Sequence, residues 1–171
     1  MASSNLFSAQ KMQKYLTVSV PKYVKKFVEY EFPPEEDGWS RVKKNSWLGE
    51  MIDGVSFELP ISVVYPEQKG STVRLRYFCR NKVWDVPPFK IVSLRRQLDE
   101  GFRSALIREV RRLHYEIQGD YTPLIEKVLK DWGIERDVDV DFETLRKIYR
   151  DHMKRIAEKR QKNMREMSAY S

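Results

Sequence analysis

Two histidines, His114 and His152, and one cysteine, Cys79, are the side chains here best suited to acid–base, nucleophilic or metal chemistry. Each histidine stands alone in a stretch of helical spacing. Neither belongs to an HExxH pair, and no CxxC supplies further ligands for a zinc ion. Cys79 closes the apolar run Leu75-Arg76-Tyr77-Phe78-Cys79, the setting of a small core residue rather than of a reactive thiolate. Asp137, Asp139 and Asp141 alternate with valines in a pattern that suggests an oxygen-ligand cation site. A calcium loop starting at Asp137 requires glycine at its sixth position and glutamate at its twelfth, where Phe142 and Tyr149 stand instead. Glu35-Glu36-Asp37 follows Pro33-Pro34 and reads as a solvated turn. With no glycine-rich phosphate loop either, the sequence predicts no catalytic residue, no metal site and no cofactor.

Positive charge is what the chain has in quantity. It carries 32 Lys and Arg against 25 Asp and Glu, a net +7 with a pI near 9.4. Such a balance favours an acidic partner, nucleic acid before a membrane surface. Residues 89–118 hold seven basic and four acidic side chains, residues 119–140 three and six, and residues 141–171 nine and five. The candidate contacts in the two basic blocks are Arg108, Arg111 and Arg112, then Thr144, Arg146, Lys147, Arg150 and Lys154. Arginine can present two donors to guanine O6 and N7, whereas lysine mostly positions phosphate.

The basic blocks coincide with the two best helical patterns. Leu94, Leu98, Phe102, Leu106, Val110, Leu113 and Ile117 recur at steps of four or three, one face of a helix at about 100° per residue. Gly119 ends that helix. Thr122 is expected to cap the next, with Pro123 at its first position and Leu124, Ile125, Val128, Leu129 and Trp132 inward, and Gly133 ends it. Asp141 caps the last helix, in which Phe142, Leu145, Ile148, Tyr149, His152 and Ile156 face the core. Beyond Ala157 the apolar stripe stops, and residues 158–171 read as a polar, basic tail.

The first half has another character. Residues 1–10 are expected to be disordered. Tyr15 to Val20 alternates with a period of two and predicts a strand, Pro21 opens a helix, and Pro33-Pro34 ends it. Val55–Tyr65 and Ser71–Phe78 are expected to pair as a hairpin across Pro66–Gly70. In the second of these strands Val73, Leu75 and Tyr77 alternate with Arg74, Arg76 and Phe78, and a basic, aromatic sheet face could stack single-stranded bases. The strand running into a helix resembles the opening of ribbon-helix-helix repressors, but Pro33-Pro34 and an acidic turn stand where that fold needs its second helix.

The expectation is an α+β protein. A strand, a helix and a small antiparallel sheet fill residues 11–90, and helices fill residues 91–157. The hydrophobic fraction of 41% and aromatic fraction of 12% supply a core for this length. Helix, helix, connection, helix resembles the layout of a helix-turn-helix over the last third of the chain, which implies that the third helix enters the major groove of double-stranded DNA. The sequence thus predicts a non-enzymatic, cytoplasmic DNA-binding regulator or accessory factor without a membrane segment. The competing expectation is a protein-interaction or assembly module, paired with a second copy or an acidic protein and anchored by Trp39, Trp47 or Trp84.

Overall fold

The inward residues Leu16 and Val18 and the outward Tyr15 lie on β1 (Met12–Ser19), in a computed structural model that describes residues 12–59, 64–79, 84–117 and 119–169. Residues 1–10 lie outside this range, as does the Pro60–Val63 part of the expected first hairpin strand. The fold is α+β. Its contacts divide the chain into two compact units, residues 1–99 and 100–171. The division falls at Asp99–Glu100, inside a helix.

In the first unit β1 leads through Pro21 into α1 (Lys22–Glu31), whose buried face is Val24, Phe27 and Val28. A three-stranded sheet has the order β1, β4 (Thr72–Cys79), β2 (Ser40–Arg41). β1 and β4 run antiparallel with Leu16 opposite Leu75 and Val18 opposite Val73, so one face of both strands is apolar and buried. β2 adds two residues in parallel with β4.

Among the described residues the expected hairpin is not formed. Val55 is the last residue of α2 (Trp47–Val55), a helix that sequence reading missed. Ser46 caps it by accepting the Gly49 amide at 3.1 Å, and Leu48, Ile52 and Val55 are buried at helical spacing. β3 (Phe57–Glu58) then pairs with β5 (Trp84–Asp85), which leaves β4 to pair with β1. The Pro66–Gly70 segment instead receives the end of β1: Ser19 donates its hydroxyl to the Lys69 carbonyl at 2.8 Å and its amide to Gln68 Oε1 at 3.3 Å.

The second unit comprises residues 100–117 of α3 (Ile91–Ile117), α4 (Thr122–Asp131) and α5 (Phe142–Ala169). Phe102, Leu106 and Val110 of α3, Ile125 and Leu129 of α4, and Leu145 and Tyr149 of α5 are buried, and Phe102 meets Trp132 edge to face at 5.8 Å. Ile117, expected on the buried stripe of α3, is exposed one turn beyond Leu113. Gly119 and Gly133, both at positive φ, follow α3 and α4. Thr122 does not cap α4; it already lies inside the helix, and Asp120 Oδ1 accepts its amide and its hydroxyl, both at 3.0 Å. Asp141 caps α5 as expected, accepting the Thr144 amide at 2.9 Å.

The polar stretch after Ala157 is helical through Ala169, where the sequence suggested a tail. No glycine or proline interrupts residues 142–169, the residue types are strong helix formers, and the pairs Lys154–Glu158 (3.9 Å) and Lys162–Glu166 (3.8 Å) bridge successive turns. Among the described residues no helix is long and apolar enough to cross a membrane.

Candidate nucleic-acid interface

α5 has 28 residues, about 42 Å at 1.5 Å per residue. Its N-terminal half is held in the unit by Phe142, Leu145 and Tyr149, whereas every residue from Ala157 to Met167 is exposed. Lys147, Arg150 and Lys154 recur at steps of three and four on the side away from the buried stripe, and Arg165 continues the same line. Among the described residues Arg150 and Lys154 each reach only a neighbouring carboxylate of their own helix, Asp151 and Glu158, at 3.9 Å.

The other predicted contacts are placed elsewhere. Arg146 is half-buried beside the start of α4. Its Nη1 donates to Glu143 at 2.7 Å, that hydrogen bond raises its pKa, and its Nε is buried without a partner. The Thr144 hydroxyl donates to Asp141 at 2.7 Å, part of the helix cap. Thr144 and Lys147 line a groove of about 490 Å³ with Arg103 and Arg155, and Glu100 and Asp151 temper its charge. Arg108, Arg111 and Arg112 line a second groove, about 810 Å³, into which α5 brings Arg160. The eight predicted residues are therefore dispersed: Arg150 and Lys154 on the outer stripe of α5, Lys147 between that stripe and the first groove, Thr144 in the first groove, Arg108, Arg111 and Arg112 in the second, and Arg146 beside the start of α4. Arg103 and Arg155 lie on the basic faces of the same two helices but outside the predicted set, and Arg160 was missed. For Arg160 the signal was present, since it stands seven residues after Met153 and four after Ile156, on the stripe that faces the second groove.

The connection between α4 and α5 leaves ten residues, Trp132 to Asp141, where a helix-turn-helix has three or four. Its aspartates are occupied with the local fold. Asp137 sits at φ +60° and accepts the Phe142 amide at 3.1 Å, and Asp139 accepts the Glu135 amide at 2.8 Å. Arg136 bonds Glu126 and Asp137 and lies 4.2 Å over the Phe142 ring. The amide at Phe142 and the guanidinium of Arg136 together hold the Asp137 carboxyl below the usual carboxylate range.

In the first unit, the basic and aromatic side chains of the outer sheet face engage one another. Arg74 lies 6.0 Å over Trp39, Arg41 lies 5.7 Å over Phe78, and Tyr15 meets Trp39 edge to face at 4.9 Å. Arg76 is bonded to both Glu35 and Asp37. The rings and cations that a stacked base would use are already in contact with each other. No family model, curated protein or solved structure matches this chain.

Proposed function

We propose that residues 100–171 bind double-stranded DNA without catalysis, as a cytoplasmic regulator or accessory factor, through the outer stripe of α5. The observation that carries this reading is the length of α5 beyond its packed part, a fully exposed helical rod with Lys159, Arg160, Lys162 and Arg165 against Glu158 and Glu166. A single helix fits a major groove about 12 Å wide. Lys147, Arg150 and Lys154 face outward at helical spacing, and the intrahelical ion pairs of Arg150 and Lys154 are exposed and weak enough to give way to phosphate. The test is duplex binding by Arg150→Ala/Lys154→Ala, which should bind more weakly while keeping its helical circular dichroism.

A second reading, a protein-interaction module, draws on the first unit. Phe57, Phe89 and Val92 are exposed there, with Lys90 Nζ 5.4 Å over the Phe57 ring and 6.0 Å over that of Phe89. Exposed clusters of large apolar residues mark contact surfaces. The tryptophans suggested as anchors are half-buried, and Trp47 stacks on Phe27 at 5.9 Å. Self-association that rises with protein concentration and ignores salt would favour this reading.

A further inference from the structure

The groove between α3 and α5 is more cationic than the packing of two helices requires. Arg108 and Arg112 are paired with Glu109 at 3.3 and 3.1 Å, and Arg112 also reaches Glu116 at 3.7 Å. Arg111 from α3 and Arg160 from α5 line the same groove and have no acidic partner among the described residues. Two further lining residues, Tyr149 and His152, each carry a buried polar atom, the hydroxyl and Nε2, without a hydrogen-bond partner. Buried polar groups ordinarily have partners, and two orphans in the wall behind two guanidiniums without acidic partners suit this groove to an anionic group.

The electrostatics of the neighbours agree. Burial lowers the pKa of His152, and the charges of Arg111 and Arg155 lower it further. Burial raises the pKa of Tyr149 while Arg111 opposes that rise. The field of Arg111 thus reaches both orphan groups. Ile107, Met153 and Ile156 add apolar lining, Ser104, His114 and Glu116 add polar groups, Glu116 being already engaged by Arg112, and Tyr115 is 89% exposed, a free aromatic face. A volume of about 810 Å³ is of the size that holds a small organic ligand.

We propose that this groove binds a phosphate group attached to a flat organic body, the chemistry of a nucleotide, with Arg111 and Arg160 clamping the phosphate. The phosphate can come from a free mononucleotide or from the 5′ end of a nucleic-acid strand. This site lies off the outer stripe of α5 and shares only Arg160 with the exposed rod, and its readouts, mononucleotide binding and preference for a 5′-phosphate, are ones that duplex binding along the stripe would not give. Titration calorimetry of the full chain at low salt should use adenosine monophosphate, inorganic phosphate, and a short single-stranded oligonucleotide with and without a 5′-phosphate. The expected result is binding of the mononucleotide, or preference for the 5′-phosphorylated strand, weakened at least tenfold in Arg111→Ala/Arg160→Ala and unchanged in Lys127→Ala. All three positions are exposed, so the variants should fold. The first pattern identifies a free nucleotide as the source and the second a strand end. Absence of binding at millimolar concentration, or equal binding by the double variant, would overturn the proposal.

Discussion

The Tyr77 hydroxyl donates to Asp85 Oδ1 across 2.8 Å, at the same oxygen that Tyr65 reaches at 2.8 Å. Lys14 Nζ bonds the other oxygen at 3.0 Å, and the Val86 amide donates at 2.9 Å. Burial pushes the Asp85 carboxyl up, but the bonds from Tyr77, Lys14 and Tyr65 outweigh it and hold the group below its usual range. The same carboxylate, after burial itself, raises the hydroxyl pKa of both tyrosines.

Asp85→Asn should therefore destabilise the first unit by about 2–3 kcal/mol, the scale of hydrogen bonds to a charged group. The sign of the pH dependence follows from the lowered pKa. The stabilisation is complete above the unfolded-state value near 3.9 and is lost as pH falls through the lower folded-state value. Urea unfolding at pH 7 and pH 3 should show a large difference between wild type and variant at the first pH and a smaller one at the second.

Gly49 and Gly54 of α2 should respond oppositely to alanine. A Cβ on Gly49 would lie 2.1 Å from the Lys43 carbonyl oxygen and 2.7 Å from that of Lys44, both backbone atoms, whereas one on Gly54 meets nothing within 4 Å. Helix propensity favours alanine at each site by about 0.5–1 kcal/mol. Gly49→Ala should nevertheless destabilise by at least about 1–3 kcal/mol through overpacking, and Gly54→Ala should be neutral or stabilising. Thermal melts of the two variants check the contrast.

These two sites also show where sequence reading stopped. The long periodic helices were legible because Leu94 to Leu113 and Phe142 to Tyr149 bury one continuous face each. α2 was hidden because its buried positions, Leu48, Ile52 and Val55, span little more than two turns and run directly into β-branched residues that suggest a strand. The partner of β4 was misassigned because the hairpin-like loop at Pro66–Gly70 outweighed the more distant β1, and strand pairing is not encoded locally. The grooves beside α5 could not be read from charge alone. Which arginine faces which groove depends on how α3 lies against α5, and the helical angle of Arg160 was informative only once that contact was known.

Tyr149 is fully buried, and its hydroxyl has no partner. Tyr149→Phe should leave stability unchanged or raise it by about 1 kcal/mol, since an unpaired buried hydroxyl costs free energy. The same variant should weaken binding of adenosine monophosphate. Denaturant melts with and without the nucleotide separate the two effects.

Ending the chain after Ala157 removes no buried described residue. Stability should change by less than about 0.5 kcal/mol. Duplex DNA binding should weaken, and its salt slope should fall by at least about 1, because cations are lost from the exposed rod. A large loss of stability would show that the rod supports the fold.

The central claim is that the outer stripe of α5 holds duplex DNA. Fluorescence anisotropy of a labelled random-sequence duplex, titrated with the full chain from low to physiological salt, tests it most directly. The account predicts binding in the micromolar range or tighter at low salt, with a log–log salt slope reporting several released ions. It further predicts that Arg150→Ala/Lys154→Ala lowers that slope by about 2. Absence of binding at low salt, or the same affinity and slope in the double variant, would contradict it.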